Sequence, residues 1–106
     1  MVVSDVYLED NCFNAQQRAE KAIKAVFIKR GEIFPYIHNL KKLLTLLEQN
    51  GVKIPKYMWD ADELSPYAAV TRYPDRIREV TPRKYRRAVR IATAVLRWAE
   101  RQVEPT

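Results

Sequence analysis

A chain of 106 residues, 47% hydrophobic and 30% charged, is sized for one folded soluble domain with a modest core. Two glycines and a single cysteine exclude tight-turn all-β folds, glycine-rich phosphate loops and a disulfide framework, and point to a reducing, cytoplasmic home. The formal charge is +6, no apolar run approaches the roughly 20 residues of a membrane span, and nothing at the start reads as a signal peptide.

The first predicted helix starts at Ser4 or Asp5 as N-cap and stops at Gly31. Between them Leu8, Cys12, Ala15, Ala19, Ala22 and Val26 recur at steps of three and four, one apolar stripe that Phe13, Ile23 and Phe27 widen. The second helix runs from about His38 to Asn50, with Leu40, Leu43, Leu44 and Leu47 inward and Gly51 as its stop. After Pro55 an irregular region predicts two short helices. One carries Tyr57, Met58, Ala61 and Leu64; the other opens at Ser65-Pro66, runs from Tyr67 to about Tyr73 and ends at Pro74.

Thr81-Pro82 repeats the cap-then-proline start and opens the last helix, which reaches about Val103. At about 100° per residue, Tyr85, Ala88, Val89, Ala92, Val95, Leu96, Ala99 and Val103 share one arc. Arg83, Arg86, Arg87, Arg90, Arg97 and Arg101 share the opposite one. The fold class is therefore all-α, an antiparallel up-and-down bundle of four to five helices making a single domain over residues 1–106.

The charge of the chain is concentrated in the same region. Nine basic and nine acidic residues balance up to Thr71, whereas Arg72 to Arg101 carries ten basic residues against Asp75, Glu79 and Glu100. Nine of those ten are arginine, suited to forked contact with phosphate or carboxylate. Arginines four apart repel one another, and a purely structural surface would alternate them with Glu. The stripe is either a solvated face or a surface for an acidic protein or nucleic acid.

Other side chains carry two readings each. His38, the only histidine, starts the second helix, where it bonds local backbone with Asn39 or supports a pocket. One His and one Cys make no metal-ligand set, so no metal and no cofactor are expected. Cys12 reads as a buried small hydrophobe. Glu20 forms a surface pair with Lys24, or Gln16 and Glu20 reach Arg72 across the bundle. Tyr67 and Tyr73 either pack in the core or stack on a base.

Three stretches together resemble the HEPN domain family (higher eukaryotes and prokaryotes nucleotide-binding): Cys12-Phe13-Asn14-Ala15-Gln16-Gln17-Arg18-Ala19-Glu20-Lys21-Ala22-Ile23-Lys24-Ala25, then His38-Asn39-Leu40 after Gly31, then Tyr67-Ala68-Ala69-Val70-Thr71-Arg72-Tyr73-Pro74. The resemblance implies a helical bundle, commonly a homodimer, that often pairs with a small nucleotidyltransferase, in some members as a toxin-antitoxin couple. Active members are metal-independent ribonucleases using an arginine followed a few residues later by a histidine. Arg72 matches the arginine, and no histidine follows it anywhere. Only eleven residues precede Cys12, fewer than the family usually carries, which would expose apolar surface and favour dimerisation.

The expected function is a non-catalytic module that dimerises and binds an anionic partner: a nucleotidyltransferase, a nucleotide or RNA. Arg72, Tyr73, Arg76, Arg83, Arg87 and Arg90 would make the contact, supported by Gln16, Glu20 and His38. The enzyme alternative is a ribonuclease in which Arg72 stabilises the phosphate and Tyr73 or a partner residue completes the site. A third reading is a structural dimer half with no nucleic-acid role.

Overall fold

Both glycines sit where a right-handed helix has to stop. In the computed structural model, which describes residues 2–69 and 80–104, Gly31 has φ +69° and Gly51 φ +96°. Each follows a helix and lets its own amide and the next one turn back onto the helix's last carbonyls. Gly31 N donates to Ile28 O and Glu32 N to Phe27 O; Gly51 N donates to Glu48 O and Val52 N to Leu47 O. These stops end α1 (Val2–Lys29) and α2 (Leu40–Gln49) as the sequence predicts.

The helix starts are less uniform. α1 begins at Val2, so Ser4 and Asp5 lie inside it rather than capping it. The α2 cap is Asn39, whose side chain accepts from Lys42 N at 3.0 Å. A second orphan donor, Leu40 N, is satisfied from another element by Ser65 Oγ at 3.1 Å. α3 (Pro82–Val103) starts as expected, with Thr81 accepting from Lys84 N at 3.2 Å and proline at the first position.

Where two short helices are predicted, the structure has one 3₁₀ helix over Lys56–Ala69, with Pro66 inside it. The apolar positions explain the choice. Met58, Ala61 and Leu64 are buried at steps of three, and Tyr67 follows half-buried. A helix of 3.0 residues per turn stacks such residues on one face, where an α-helix would fan them out. The continuation to Tyr73 lies outside the described residues.

Among the described residues the protein has four helical elements and no strand. α1 and α3 pack along one another more extensively than any other pair, and the 3₁₀ helix touches α1, α2 and α3. The core joins Cys12, Ala19, Ile23 and Phe27 of α1 to Leu40, Leu43, Leu44 and Leu47 of α2, and to Val95 and Trp98 of α3. The buried side of α3 differs from the predicted arc. Ile91 and Trp98 are buried, whereas Val89 is 40% exposed and Tyr85 and Leu96 are half-buried. Ile91 and Ala88 face Leu64 and Tyr67 of the 3₁₀ helix, and the flank carrying Tyr85, Val89 and Leu96 is left partly open.

Candidate functional site

Two sets of polar residues stand out. The first is built on the inner face of α1. Glu20 is only 5% exposed, an expensive position for a carboxylate unless donors surround it. Three do. Gln16 Nε2 donates to Oε1 at 2.8 Å, Lys24 Nζ donates to Oε2 at 2.9 Å, and His38 Nδ1 lies 3.0 and 3.1 Å from the two oxygens. Gln16 and Lys24 lie one helical turn either side of Glu20, so α1 itself aims them at it.

The rest of the cluster fixes these donors in turn. Gln17 Nε2 donates to Gln16 Oε1 at 2.6 Å, and Gln16 Nε2 makes a longer 3.4 Å bond to the carbonyl of His38. Lys24 Nζ also sits 5.2 Å from the centre of the Phe34 ring. No buried side-chain nitrogen or oxygen among the described residues lacks a partner. Burial pushes the Glu20 carboxyl up, but the bonds from Gln16, Lys24 and His38 outweigh it and hold the group below its ordinary 4.5.

An ionised Glu20 only accepts, so the Nδ1 of His38 carries a proton and donates it. The ring is thereby oriented with Nε2 away from Glu20, on a side chain that is 57% exposed. This overturns the first of the two expected readings of His38, local backbone bonding, and brings it together with Gln16 and Glu20. It does not bond local backbone at the start of α2; Asn39 does that. The expected Glu20–Lys24 pair is present, but as part of a buried cluster and not on the surface.

The second set is the outer face of α3. Arg83, Arg86, Arg90 and Arg97 are exposed and have no carboxylate within ion-pair distance among the described residues. Arg87 differs from them. Its Nε and Nη2 grip Glu63 of the 3₁₀ helix at 2.6 and 2.5 Å, and Asp60 lies 3.9 Å away. Arg87 is thus a bracket between elements. The bonds from Arg87 hold the Glu63 carboxyl below its ordinary value against a smaller opposing effect of burial. Arg101 Nη2 donates to the Tyr57 hydroxyl at 3.1 Å.

Tyr67 packs inward: burial first, then the Cys12 thiol and Glu63, push its phenol above the ordinary 10.0. That leaves it poorly placed to stack on a base. Arg72, Tyr73 and Arg76, with any reach of Gln16 or Glu20 to Arg72, lie outside the described residues. No group of three or more His, Cys, Asp or Glu that could hold a metal occurs among the described residues, and no described helix is long and apolar enough to cross a membrane.

Sequence reasoning missed Glu63 and Asp60 as partners of Arg87 and Ser65 as acceptor for Leu40 N. Those pairs are 24, 27 and 25 residues apart, and only the acidic run in the 3₁₀ segment hinted at them.

These observations define a class: a small helical domain with an arginine-faced last helix and a buried carboxylate that orients an exposed imidazole. The chain belongs to the HEPN domain family, whose family model matches residues 3–102. No curated protein and no solved structure matches it.

Proposed function

We propose that this HEPN domain is a binding module, an antiparallel up-and-down bundle that dimerises and engages an anionic partner through the outer face of α3. The nucleotide- and RNA-related character of the family supports an RNA, a nucleotide or an acidic nucleotidyltransferase as that partner, in a toxin-antitoxin type pair. One observation carries the reading. Four arginines on one helix face have no carboxylate partner among the described residues, while the two neighbours that could be satisfied internally, Arg87 and Arg101, are. Like charges lined up on a helix repel, and a polyanion removes that repulsion. Titrating polyuridylate as the polyanion tests it: the triple variant Arg86→Ser, Arg90→Ser, Arg97→Ser is expected to bind roughly tenfold or more weakly at low salt. Equal affinity would remove the α3 face from the reading.

A second reading, a metal-independent ribonuclease centred on Arg72, is favoured by one specific finding. The only histidine of the chain is held through Nδ1 by a buried carboxylate, with Nε2 left for proton transfer. This reading expects cleavage of generic RNA in the presence of EDTA, lost in Arg72→Ala and in His38→Ala. Cleavage that persists in both variants would trace to a contaminant and leave the binding reading standing alone.

A further inference from the structure

The groove between α1 and α3 takes no part in the Glu20 cluster and runs beside the α3 arginine face. Ala15 and Arg18, with the polar Asn11 and Asn14, line the α1 bank, and Tyr85, Val89, Ala92 and Leu96, with Thr93, line the α3 bank. Its floor is small and apolar, since Ala15 and Ala92 are buried without filling it. Its α3 bank is the flank of that helix left partly open, with Val89 40% exposed and Tyr85 and Leu96 half-buried. Cations flank the groove on both sides. Arg18 is part of the α1 bank; on α3, helical spacing puts Arg86, one turn before Val89, and Arg97, beside Leu96, along the outer edge of that bank.

We propose that this groove is the docking site for an amphipathic helix of a partner protein, apolar on one face and acidic along its sides. The inference rests on the anionic-partner reading above and names the partner's chemistry. An occupant has to satisfy an apolar floor and the arginines on either side of it together, which a helix with an apolar stripe flanked by Glu or Asp does. A nucleic-acid backbone satisfies the arginines but has no counterpart for Val89 or Leu96. A second copy of the same groove brings arginine against arginine, which a two-fold interface repeats on both sides. The alanines let a helix approach closely. The α3 bank from Tyr85 to Leu96 spans about 16 Å, room for roughly three turns of a partner helix.

The test uses the full chain and two synthetic peptides of identical composition. One has leucines at i, i+3, i+4 and i+7 flanked by glutamates; the other has the same residues scrambled so that no apolar face forms. The expected result is saturable binding of the amphipathic peptide at least tenfold tighter than the scrambled one. Val89→Asn, a neutral change at an exposed position, is expected to weaken the amphipathic peptide at least tenfold while polyuridylate affinity stays within twofold. Circular dichroism of the variant confirms that it is folded, and Val89→Ser repeats the test if it is not. Equal binding of the two peptides, or no effect of Val89→Asn, overturns the docking site. If neither peptide binds and polyuridylate does, the anionic-partner reading stands and this inference fails. If nothing anionic binds, both fail.

Discussion

Replacing Trp98 by alanine is expected to lower the unfolding free energy by roughly 3–5 kcal/mol, the usual range for deleting a buried aromatic. Trp98 is 2% exposed and among the largest fully buried side chains, on the same side of α3 as Ile91. Its removal leaves a cavity where α3 meets the rest of the core, and the surrounding helices can close it only in part. For a domain of this size a loss of that order is a large share of a total of about 5–15 kcal/mol. It corresponds to a midpoint lower by at least about 12 °C. Val89→Ala, on the open flank, is expected to stay within about 0.5 kcal/mol. Paired urea melts measure both; equal losses would show that α3 does not sit in the register described.

The second large effect is expected at Glu20. Glu20→Ala leaves Gln16, Lys24 and His38 without their common acceptor, and breaking a buried charged pair from one side costs about 3 kcal/mol. Because His38 belongs to the connection between α1 and α2, amide exchange from Gly31 to Asn39 should speed up more than exchange in α3. Glu20→Gln keeps the shape and removes the charge, so its loss should be smaller. The pH dependence follows from the direction of the shift. A carboxyl whose folded value lies below 4.5 contributes its full stabilisation above that pH, and the contribution fades as pH falls through the lowered folded value. Acid sensitivity in that window should be reduced in Glu20→Gln, with the remainder from Glu63, which is shifted the same way. Melts at pH 7 and pH 3.5 that show the same sensitivity in wild type and variant would contradict the cluster.

Local chemistry was what the sequence made legible. Gly31, Gly51 and Thr81-Pro82 set helix ends by backbone conformation and capping, which depend on adjacent residues alone, and all three hold. From Cys12 onward the apolar stripe of α1 was equally readable, because Cys12, Ala15, Ala19, Ala22 and Val26 at helical spacing admit one inward face. The middle of the chain was not. Met58, Ala61 and Leu64 recur at three, a step that a short α-helix and a 3₁₀ helix share until packing decides between them. On α3, Trp98 and Ile91 are the side chains that end up buried while Tyr85, Val89 and Leu96 stay partly open, and which flank packs depends on neighbouring elements that an angular count does not contain.

The candidate site divides along the same line. The spacing of four between Glu20 and Lys24 was visible, whereas the tie to His38 crosses 18 residues and two elements. Arg87 looked like any other member of the stripe until the fold set Glu63 against it. The Arg72-Tyr73-Pro74 segment, which carried much of the family resemblance, lies outside the described residues. The weight of the functional reading therefore rests on α3.

The salt dependence of polyanion binding tests that reading most directly. With four arginines on the face that have no carboxylate partner among the described residues, log affinity for polyuridylate against log sodium chloride is expected to fall with a slope of about −2 to −3, near −0.7 for each phosphate neutralised. In the Arg86→Ser, Arg90→Ser, Arg97→Ser variant the slope should flatten to about −1. A wild-type slope near zero, or one unchanged in the triple variant, would contradict the α3 face as an anion-binding surface.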